Sequence, residues 1–353
     1  MREADVVDPC TVVVDGVPLD ARTEQEVVDA IVGEARAGRG GWVVTVNLDI
    51  LRRLRRDSTL RAMVSQATLV VADGMPVLWA ARLAGRSLPE RVTGASLIWT
   101  LSAAADDDLS IYLLGGVPGV ADAAARALVA RNPRLHIAGA DSPPFGFEAQ
   151  PEHFDRARRK LVAAAPDIIF CGLGFPRQEL VIRELRRGLP GAWFIGCGAA
   201  IPFAAGHLRR APAWMQRYGL EWLHRLMREP IRLFRRYLVD GLSYAAALML
   251  RSARARHRSP RAGAADMRTA AHRSRGRTSA DRRSDGDDAS CASPPSGADG
   301  HRRSAGRTPG GRRRAADRPV GLFDAVAGHQ SDRDHREGER HREGAVEEHV
   351  EEA

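Results

Sequence analysis

The sequence predicts an α/β protein built on a largely parallel sheet with flanking helices. Short apolar runs alternate with amphipathic stretches over the first 205 residues, and Gly, Asp or Pro bounds most of the runs. Parallel neighbours need a crossover connection, so this alternation is typical of repeated strand–helix units. In such sheets ligands bind beyond the carboxyl ends of the strands. The loops that follow the apolar runs are therefore where functional residues are expected.

Short length and flanking turn residues predict six of the apolar runs as strands: Thr11–Val14, Trp42–Val46, Thr68–Ala72, Ser110–Leu114, Asp167–Cys171 and Ala192–Gly196. Helical periodicity predicts helices over five stretches between them: Glu24–Ala37, Ile50–Ser65, Gly119–Arg131, Phe154–Ala164 and Gln178–Gly188.

Composition divides the chain into three parts. Residues 1–205 have the pattern of a packed core, and residues 206–250 form a predicted helical appendage rich in Arg and Trp. Residues 251–353 contain 22 Arg and 17 acidic residues but no Trp or Tyr. A stretch with so little apolar surface cannot offset the entropy of ordering, so we predict a disordered low-complexity tail.

The appendage carries most of the local positive charge of the folded part. Between His207 and Arg236 there are eight Arg against two Glu, and aromatic residues are interleaved with them. This pattern favours a surface that meets a bilayer interface and an anionic group together. A nucleic-acid site is the alternative, since arginines and aromatics also serve there. A solvated helix face is the third interpretation.

Cysteine usage and the amino terminus favour a cytoplasmic protein without a structural metal. Cys10, Cys171, Cys197 and Cys291 are scattered, with no paired spacing typical of metal ligands or of a disulfide framework. The first ten residues are charged and lack the apolar core of a signal peptide. Any contact with a membrane is then expected to be peripheral.

Three of the predicted strands are followed by glycine-rich loops. These contain Gly115 and Gly116, Gly172 and Gly174, and Gly196. Glycine lets backbone N–H groups approach a phosphate closely, and the start of the next helix adds partial positive charge. Each loop taken alone is equally consistent with a tight turn. Together at one sheet edge, they favour a nucleotide-type ligand.

Four polar residues at strand ends are candidates for contact with a substrate. Asp73 follows the apolar run Leu69–Ala72 and is suited to act as a general base, or else to cap the following helix. Thr45 and Asn47 offer neutral hydrogen-bonding groups, with capping of the next helix as the alternative. Gln178 either binds a ligand or begins a helix.

Several motifs in chain order resemble one enzyme family. They are TVNLDIL, ADGMPVLW, ERVTG, LLGG, PDIIFCGLGFPRQE, GCGAA and RAPAWMQRYGLEWLHRLMREPIRLFRRY. Over about residues 10–240 the chain is similar to the WecG/TagA/CpsF glycosyltransferases, glycosyltransferase family 26. The resemblance implies a Rossmann-like core with a C-terminal appendage that docks to the membrane and helps to complete the active site.

The family's activity, carried over as an expectation, is inverting transfer of an N-acetylmannosamine-type sugar. The donor is a UDP-sugar and the acceptor is an undecaprenyl-diphosphate-linked glycan, in cell-surface polysaccharide or teichoic-acid biosynthesis. The resemblance implies catalytic roles for Asp73, Thr45 and Gln178. It implies substrate contacts by Arg91 and by three appendage arginines, Arg225, Arg232 and Arg235.

The same resemblance implies no essential metal or other cofactor, a site at the inner face of the cell membrane, and a possible homo-oligomer. Nucleic acid is not expected as a partner on this interpretation. An NAD-dependent enzyme is disfavoured, because the chain lacks the glycine triplet with an acidic residue about 20 positions later that such enzymes use.

Overall fold

The computed structural model describes residues 11–228, 230, 234, 238 and 240–258. Its centre is a six-stranded sheet in the order β4-β3-β8-β7-β5-β6, in which every pairing is parallel. The strands are β3 (Gly41–Val46), β4 (Leu69–Ala72), β5 (Ser110–Gly115), β6 (His136–Asp141), β7 (Ile168–Gly172) and β8 (Trp193–Gly196). The predicted α/β class is confirmed, and all six carboxyl ends lie at one edge.

Helices connect and cover these strands. In chain order they are α1 (Glu24–Arg36), α2 (Leu48–Arg56), α3 (Ser58–Val64), α4 (Met75–Leu83), α5 (Gly94–Ala104), α6 (Val120–Arg131), α7 (Pro151–Ala164), α8 (Arg177–Leu185), α9 (Ala200–Ala204), α10 (Ala213–Arg217), α11 (Glu221–Arg228) and α12 (Leu242–Arg258). A 3₁₀ turn spans Phe147–Ala149. Apart from Glu148–Pro151, the described residues belong to one compact unit.

The central strands are buried because both faces of the sheet are covered. Side chains of β3, β7 and β8 such as Trp42, Phe170 and Phe194 have no exposed surface. Continuous apolar runs are expected for parallel strands that are buried on both faces. The same burial leaves the turns at the strand ends as the exposed part of the sheet.

The first predicted strand does not belong to the parallel sheet. β1 (Thr11–Val14) pairs antiparallel with β2 (Val17–Asp20) in a hairpin of its own. Asp15 at its turn has a positive φ of 50°, a conformation that Asp tolerates better than most residues. The sequence pattern missed β2, which contains Pro18, and β6, in which Ile137 is the one bulky apolar residue.

The predicted helix Ile50–Ser65 is two helices. Asp57 has an extended backbone, and its carboxylate accepts hydrogen bonds from the N–H groups of Thr59 and Leu60 at 2.8 and 3.0 Å. An Asp that caps a helix in this way starts a new one. Three further helices of the core, α4, α5 and α9, were not among the five predicted.

Helix α12 packs along α4 and is tied to the hairpin. Arg251 donates two hydrogen bonds to the Asp15 carboxylate at 2.8 and 2.9 Å, and Tyr244 donates a third at 2.7 Å. Because α12 runs to Arg258, residues 251–258 are helical and the predicted start of the tail at 251 is too early. The rest of the predicted tail lies outside the described residues.

Candidate active site

The turns after β5, β7 and β8 pack against one another through their backbones. A Cβ atom added to Gly115 would lie 2.6 Å from the carbonyl oxygen of Gly172, and one added to Gly172 would lie 2.9 Å from that of Gly198. No larger residue fits at either position without moving the backbone. The predicted glycine-rich edge is therefore a contiguous surface of peptide groups.

Positive φ angles shape the exposed part of the same turns. Gly116 has φ +85° and Gly174 has φ +77°, and a Cβ atom on Gly174 would meet nothing within 4 Å. The space in front of Gly174 is therefore open. A backbone with glycines in this conformation can turn its N–H groups toward an anion.

Gln178 ties two of these turns together. Its side-chain oxygen accepts hydrogen bonds from the N–H groups of Gly174 and Gly198, both at 3.1 Å. Its amide nitrogen donates to the carboxyl of Glu179 at 2.8 Å, and the side chain is buried. Gln178 lies inside helix α8, as one of the two alternatives from the sequence predicted. Its hydrogen bonds in the structure all go to protein groups.

Thr45 also bonds to the protein. Its hydroxyl donates to the carbonyl oxygen of Gly196 at 3.2 Å and is buried between β3 and β8. A Cβ atom on Gly196 would lie 2.7 Å from the amide nitrogen of Gln178, so glycine is required there for space. Thr45, Gly196 and Gln178 thus form one connected support beneath the glycine turns.

Asp73 and Asn47 follow the neighbouring strands β4 and β3. The N–H of Asp73 donates to the carbonyl of Val46 at 2.8 Å, and the Asp73 residue is half-buried. The N-cap of α4 is Gly74, one residue later, with φ +144°. The capping alternative is observed for Asn47, whose side-chain oxygen accepts from the N–H groups of Asp49 and Ile50. A Cβ atom on Gly74 would lie 4.0 Å from Cβ of Asn47.

The first part of the appendage packs beside Asp73. A Cβ atom on Gly219, between α10 and α11, would lie 2.7 Å from Cβ of Met75 and 3.5 Å from the ring of Trp79. Met215 is buried as well. The appendage therefore packs on α4, whose first residue, Met75, lies two positions after Asp73.

Arg91 connects this appendage to the core. Its guanidinium donates to the Glu221 carboxylate at 3.2 Å, and the same carboxylate faces Arg210 at 3.6 Å. Arg210 also donates to the hydroxyl of Thr93 at 3.4 Å. Arg225 lies in α11, but its side chain is not among the described ones, and Arg232 and Arg235 lie outside the described residues.

Comparison with known proteins now decides the family. The model of the glycosyl transferase WecG/TagA/CpsF family matches residues 12–259, which include the sheet, the glycine turns and the appendage. The chain belongs to this family. It is also similar to the N-acetylglucosaminyldiphosphoundecaprenol N-acetyl-beta-D-mannosaminyltransferase of Bacillus spizizenii, with 30% identity over 196 residues. That alignment covers 55% of this chain and 74% of the relative.

An aromatic residue at the sheet edge of this glycosyltransferase was missed in the sequence. Phe145 follows β6, is 74% exposed, and has the Arg177 guanidinium 4.2 Å from its ring centroid. Ser142 anchors the same loop by donating to the carbonyl of Gly115 at 3.2 Å. Phe145 is thus held between the turns after β5 and β7. The sequence signal that could have identified Phe145 is its position within SPPFGF, directly after strand β6, which was not predicted.

Several apolar side chains of the glycosyltransferase are exposed on the appendage. Trp214, Tyr218 and Met227 are 58%, 65% and 63% exposed, and Trp79 of the adjoining α4 is 42% exposed. Large exposed apolar groups that lie near one another mark an interaction surface. No helix within the described part of the chain is long and apolar enough to cross a bilayer.

No group of three or more His, Cys, Asp or Glu side chains suited to a metal ion occurs among the described residues. The two cysteines in that part, Cys171 and Cys197, are free thiols and buried. Positive charge near this edge includes the guanidinium groups of Arg91 and Arg177.

Proposed function

We propose that the protein transfers an N-acetylmannosamine-type sugar from a UDP donor to an undecaprenyl-diphosphate-linked acceptor, with inversion at the anomeric carbon. The observation that carries the proposal is that Asp73 and the glycine turns lie at the same edge of the parallel sheet, where the start of the arginine-rich appendage packs on Met75. Membership of the family, and the activity in the name of the Bacillus spizizenii relative, support the reaction class and the sugar.

The glycine turns provide the diphosphate subsite. Gly116 and Gly174 have positive φ angles, and Gly174 borders open space, so a ligand can approach the backbone of these turns closely. Backbone N–H groups at helix starts bind phosphate without a metal. Arginines supply the remaining positive charge, with Arg91 in the described part and Arg225, Arg232 and Arg235 as the family resemblance implies.

Phe145 supplies a surface for the base of the nucleotide. Its exposed ring stands at the same edge, supported on one side by Arg177 at 4.2 Å. Stacking of a base on an aromatic ring contributes roughly 1–3 kcal/mol. A uridine placed there directs its diphosphate toward the turns after β5 and β7.

Asp73 acts as the general base on the acceptor. Its carboxylate takes the proton of the attacking hydroxyl as that oxygen bonds to the anomeric carbon. The bond from the anomeric carbon to the diphosphate oxygen breaks at the same time, and UDP leaves with the electron pair. Positive charge and N–H groups at the glycine turns stabilise the leaving diphosphate most in the transition state.

The appendage brings the enzyme to its lipid-linked acceptor. Trp214 and Tyr218 expose aromatic surface next to basic side chains such as Arg217, which is the arrangement of a peripheral interfacial helix. The proposed location is the inner face of the cell membrane. A homo-oligomer stays a prediction.

The test is a transfer assay with the full chain, a panel of UDP-sugars and a short polyprenyl-diphosphate-GlcNAc acceptor, with and without EDTA. Formation of a lipid-linked disaccharide from UDP-N-acetylmannosamine, undiminished by EDTA, is the expected result. Transfer from a different UDP-sugar would correct the donor and keep the reaction class. Failure to bind any UDP-sugar, measured by calorimetry, would overturn the proposal.

A further inference from the structure

Glu179 is a fully buried carboxyl directly beneath the glycine edge. It has no exposed surface, and the reaction proposed above leaves it without a role. The residue follows Gln178 in helix α8, and a Cβ atom on Gly196 would lie 3.1 Å from its Oε1. A carboxyl is costly to bury, so its presence under the turns calls for a physical reason.

The Glu179 carboxyl and two backbone N–H groups together fix which way the Gln178 amide points. Oε1 of Glu179 accepts from Nε2 of Gln178 at 2.8 Å, which leaves the amide oxygen to accept from the N–H groups of Gly174 and Gly198. A reversed amide would place its NH₂ group against two N–H donors. Glu179 therefore acts on both glycine turns through a single side chain.

The surroundings of the second carboxyl oxygen favour the neutral state of Glu179. Oε2 of Glu179 is buried and has no hydrogen-bond partner among the described residues. An ionised carboxylate there would be desolvated with one neutral donor to compensate it. Burial raises the pKa of Glu179 to about 7, although the hydrogen bond from Gln178 partly lowers it.

The other titratable groups that face this carboxyl do not ionise in the same range. They are the thiols of Cys171 on β7 and Cys197 after β8. Burial raises the pKa of Cys197 to about 12 and that of Cys171 well above its usual value, and the nearby Glu179 contributes to both shifts. Around neutral pH, the carboxyl is the group of this cluster that changes charge.

We propose that Glu179, as a neutral acid, is a positioning residue that holds Gln178 and thereby the Gly174 and Gly198 turns in the geometry that binds the donor diphosphate. The proposal rests on the proposed function, because the diphosphate is the ligand assigned to those turns. Ionisation places a negative charge one side chain below the phosphates, and the desolvated charge favours opening of the turns that bury it. Both effects weaken donor binding as pH rises.

The first experiment measures binding of UDP-N-acetylmannosamine to the full chain by calorimetry between about pH 6 and about pH 8.5. If the ionised form does not bind, Kd rises about tenfold for each pH unit above the pKa of Glu179. The isosteric variant Glu179→Gln stays neutral, so its Kd should be nearly constant over this range. Glu184→Gln is the matched control, since Glu184 lies on the same helix but pairs with Arg183 and Arg187 instead of with Gln178.

A second readout needs no ligand and so separates this proposal from the proposed function. Hydrogen–deuterium exchange of the turns around Gly174 and Gly198, corrected for the intrinsic pH dependence, should speed up with pH in the wild type and not in Glu179→Gln. Wild-type pH dependence retained in Glu179→Gln, or lost equally in Glu184→Gln, would overturn the proposal.

A third measurement uses the wild type and keeps the proposal testable if the Glu179→Gln variant does not fold. A protonated buried carboxyl gives an infrared carbonyl band distinct from that of a carboxylate, and the wild-type protein should show this band near neutral pH. Its disappearance should follow the rise in Kd. A wild type without the band at pH 6 would also overturn the proposal.

Discussion

The Glu221 carboxylate of the appendage lies 3.2 Å from the Arg91 guanidinium of the core, and Arg210 approaches the same carboxylate at 3.6 Å. All three side chains are largely buried. Glu221 therefore connects helix α11 to Arg91 of the ERVTG motif. This ion pair is one of the contacts between the appendage and the core.

Glu221→Gln should loosen the appendage and reduce transfer. The neutral amide leaves two largely buried guanidinium groups without their carboxylate, at a cost of about 1–3 kcal/mol. Chemical denaturation measures the loss, and limited proteolysis should cut faster within residues 211–228. Glu34→Gln breaks an exposed pair with Arg39 and serves as the control. Equal behaviour of the two variants would exclude a special role for Glu221.

Gly219→Ala should disturb the contact beside Asp73. The added Cβ would lie 2.7 Å from that of Met75, at a residue with φ +72°. We expect a loss of about 1–3 kcal/mol in stability together with lower kcat. Gly206→Ala is the matched control, because Gly206 has φ +73° and open space around its Cβ. The difference between the two melting temperatures isolates the clash with Met75.

Asp73→Asn should lower kcat by about 10²–10⁴-fold, the usual contribution of a general base. Affinity for UDP should stay nearly unchanged, because the proposed diphosphate subsite is at the glycine turns. Steady-state kinetics and calorimetry measure the two quantities separately. Asp122→Asn, on the exposed face of α6, is the control. A parallel loss of rate and UDP affinity would instead indicate a structural Asp73.

Phe145→Ala should weaken UDP binding about 5–100-fold, which corresponds to the stacking free energy of one base. Binding of inorganic pyrophosphate should not change, since that probe lacks a base. Phe145→Trp should bind UDP as well as the wild type does. Val129→Ala removes an exposed apolar side chain from α6 as a control. If UDP and pyrophosphate lost affinity equally, Phe145 would support the turns and not the base.

Asp15→Asn should release helix α12 in a pH-dependent way. Burial raises the pKa of Asp15, but hydrogen bonds from Arg251 and Tyr244 outweigh it, so the pKa lies below its usual value. The carboxylate thus stabilises the fold above its unfolded pKa, and this contribution disappears as pH falls below about 4. Denaturation at neutral pH should show a loss of about 1–3 kcal/mol. The wild type and variant should converge in acid, whereas a constant difference would contradict the assignment.

The fold was predictable from the sequence where strands are continuous and apolar. Five of the six runs predicted as strands correspond to strands of the parallel sheet, because burial on both faces leaves a strong signal. His136–Asp141 carries no such signal, and the hairpin partner of Thr11–Val14 is short and contains proline. The break between α2 and α3 depends on the cap that Asp57 makes, and in the sequence a capping Asp looks the same as any exposed Asp.

The sequence predicted where the candidate site lies better than it predicted which residues contact one another there. The motifs place Asp73 and the glycines at one edge because parallel strands share that edge. The bonds of Thr45 to Gly196 and of Gln178 to Gly174 and Gly198 depend on three-dimensional register, which sequence spacing does not contain. Phe145 and Glu179 were missed as site residues for the same reason.

The bond from Thr45 to Gly196 spans 151 positions, and it lies between neighbouring strands of the sheet. The interior strand β3 therefore has an open edge until β8 has been synthesised. Non-local parallel pairing of this kind is slow to form and leaves an apolar edge exposed in the meantime. For a chain emerging from the ribosome, the middle of the sheet is completed last, and the hazard of aggregation is greatest before residue 196 has appeared.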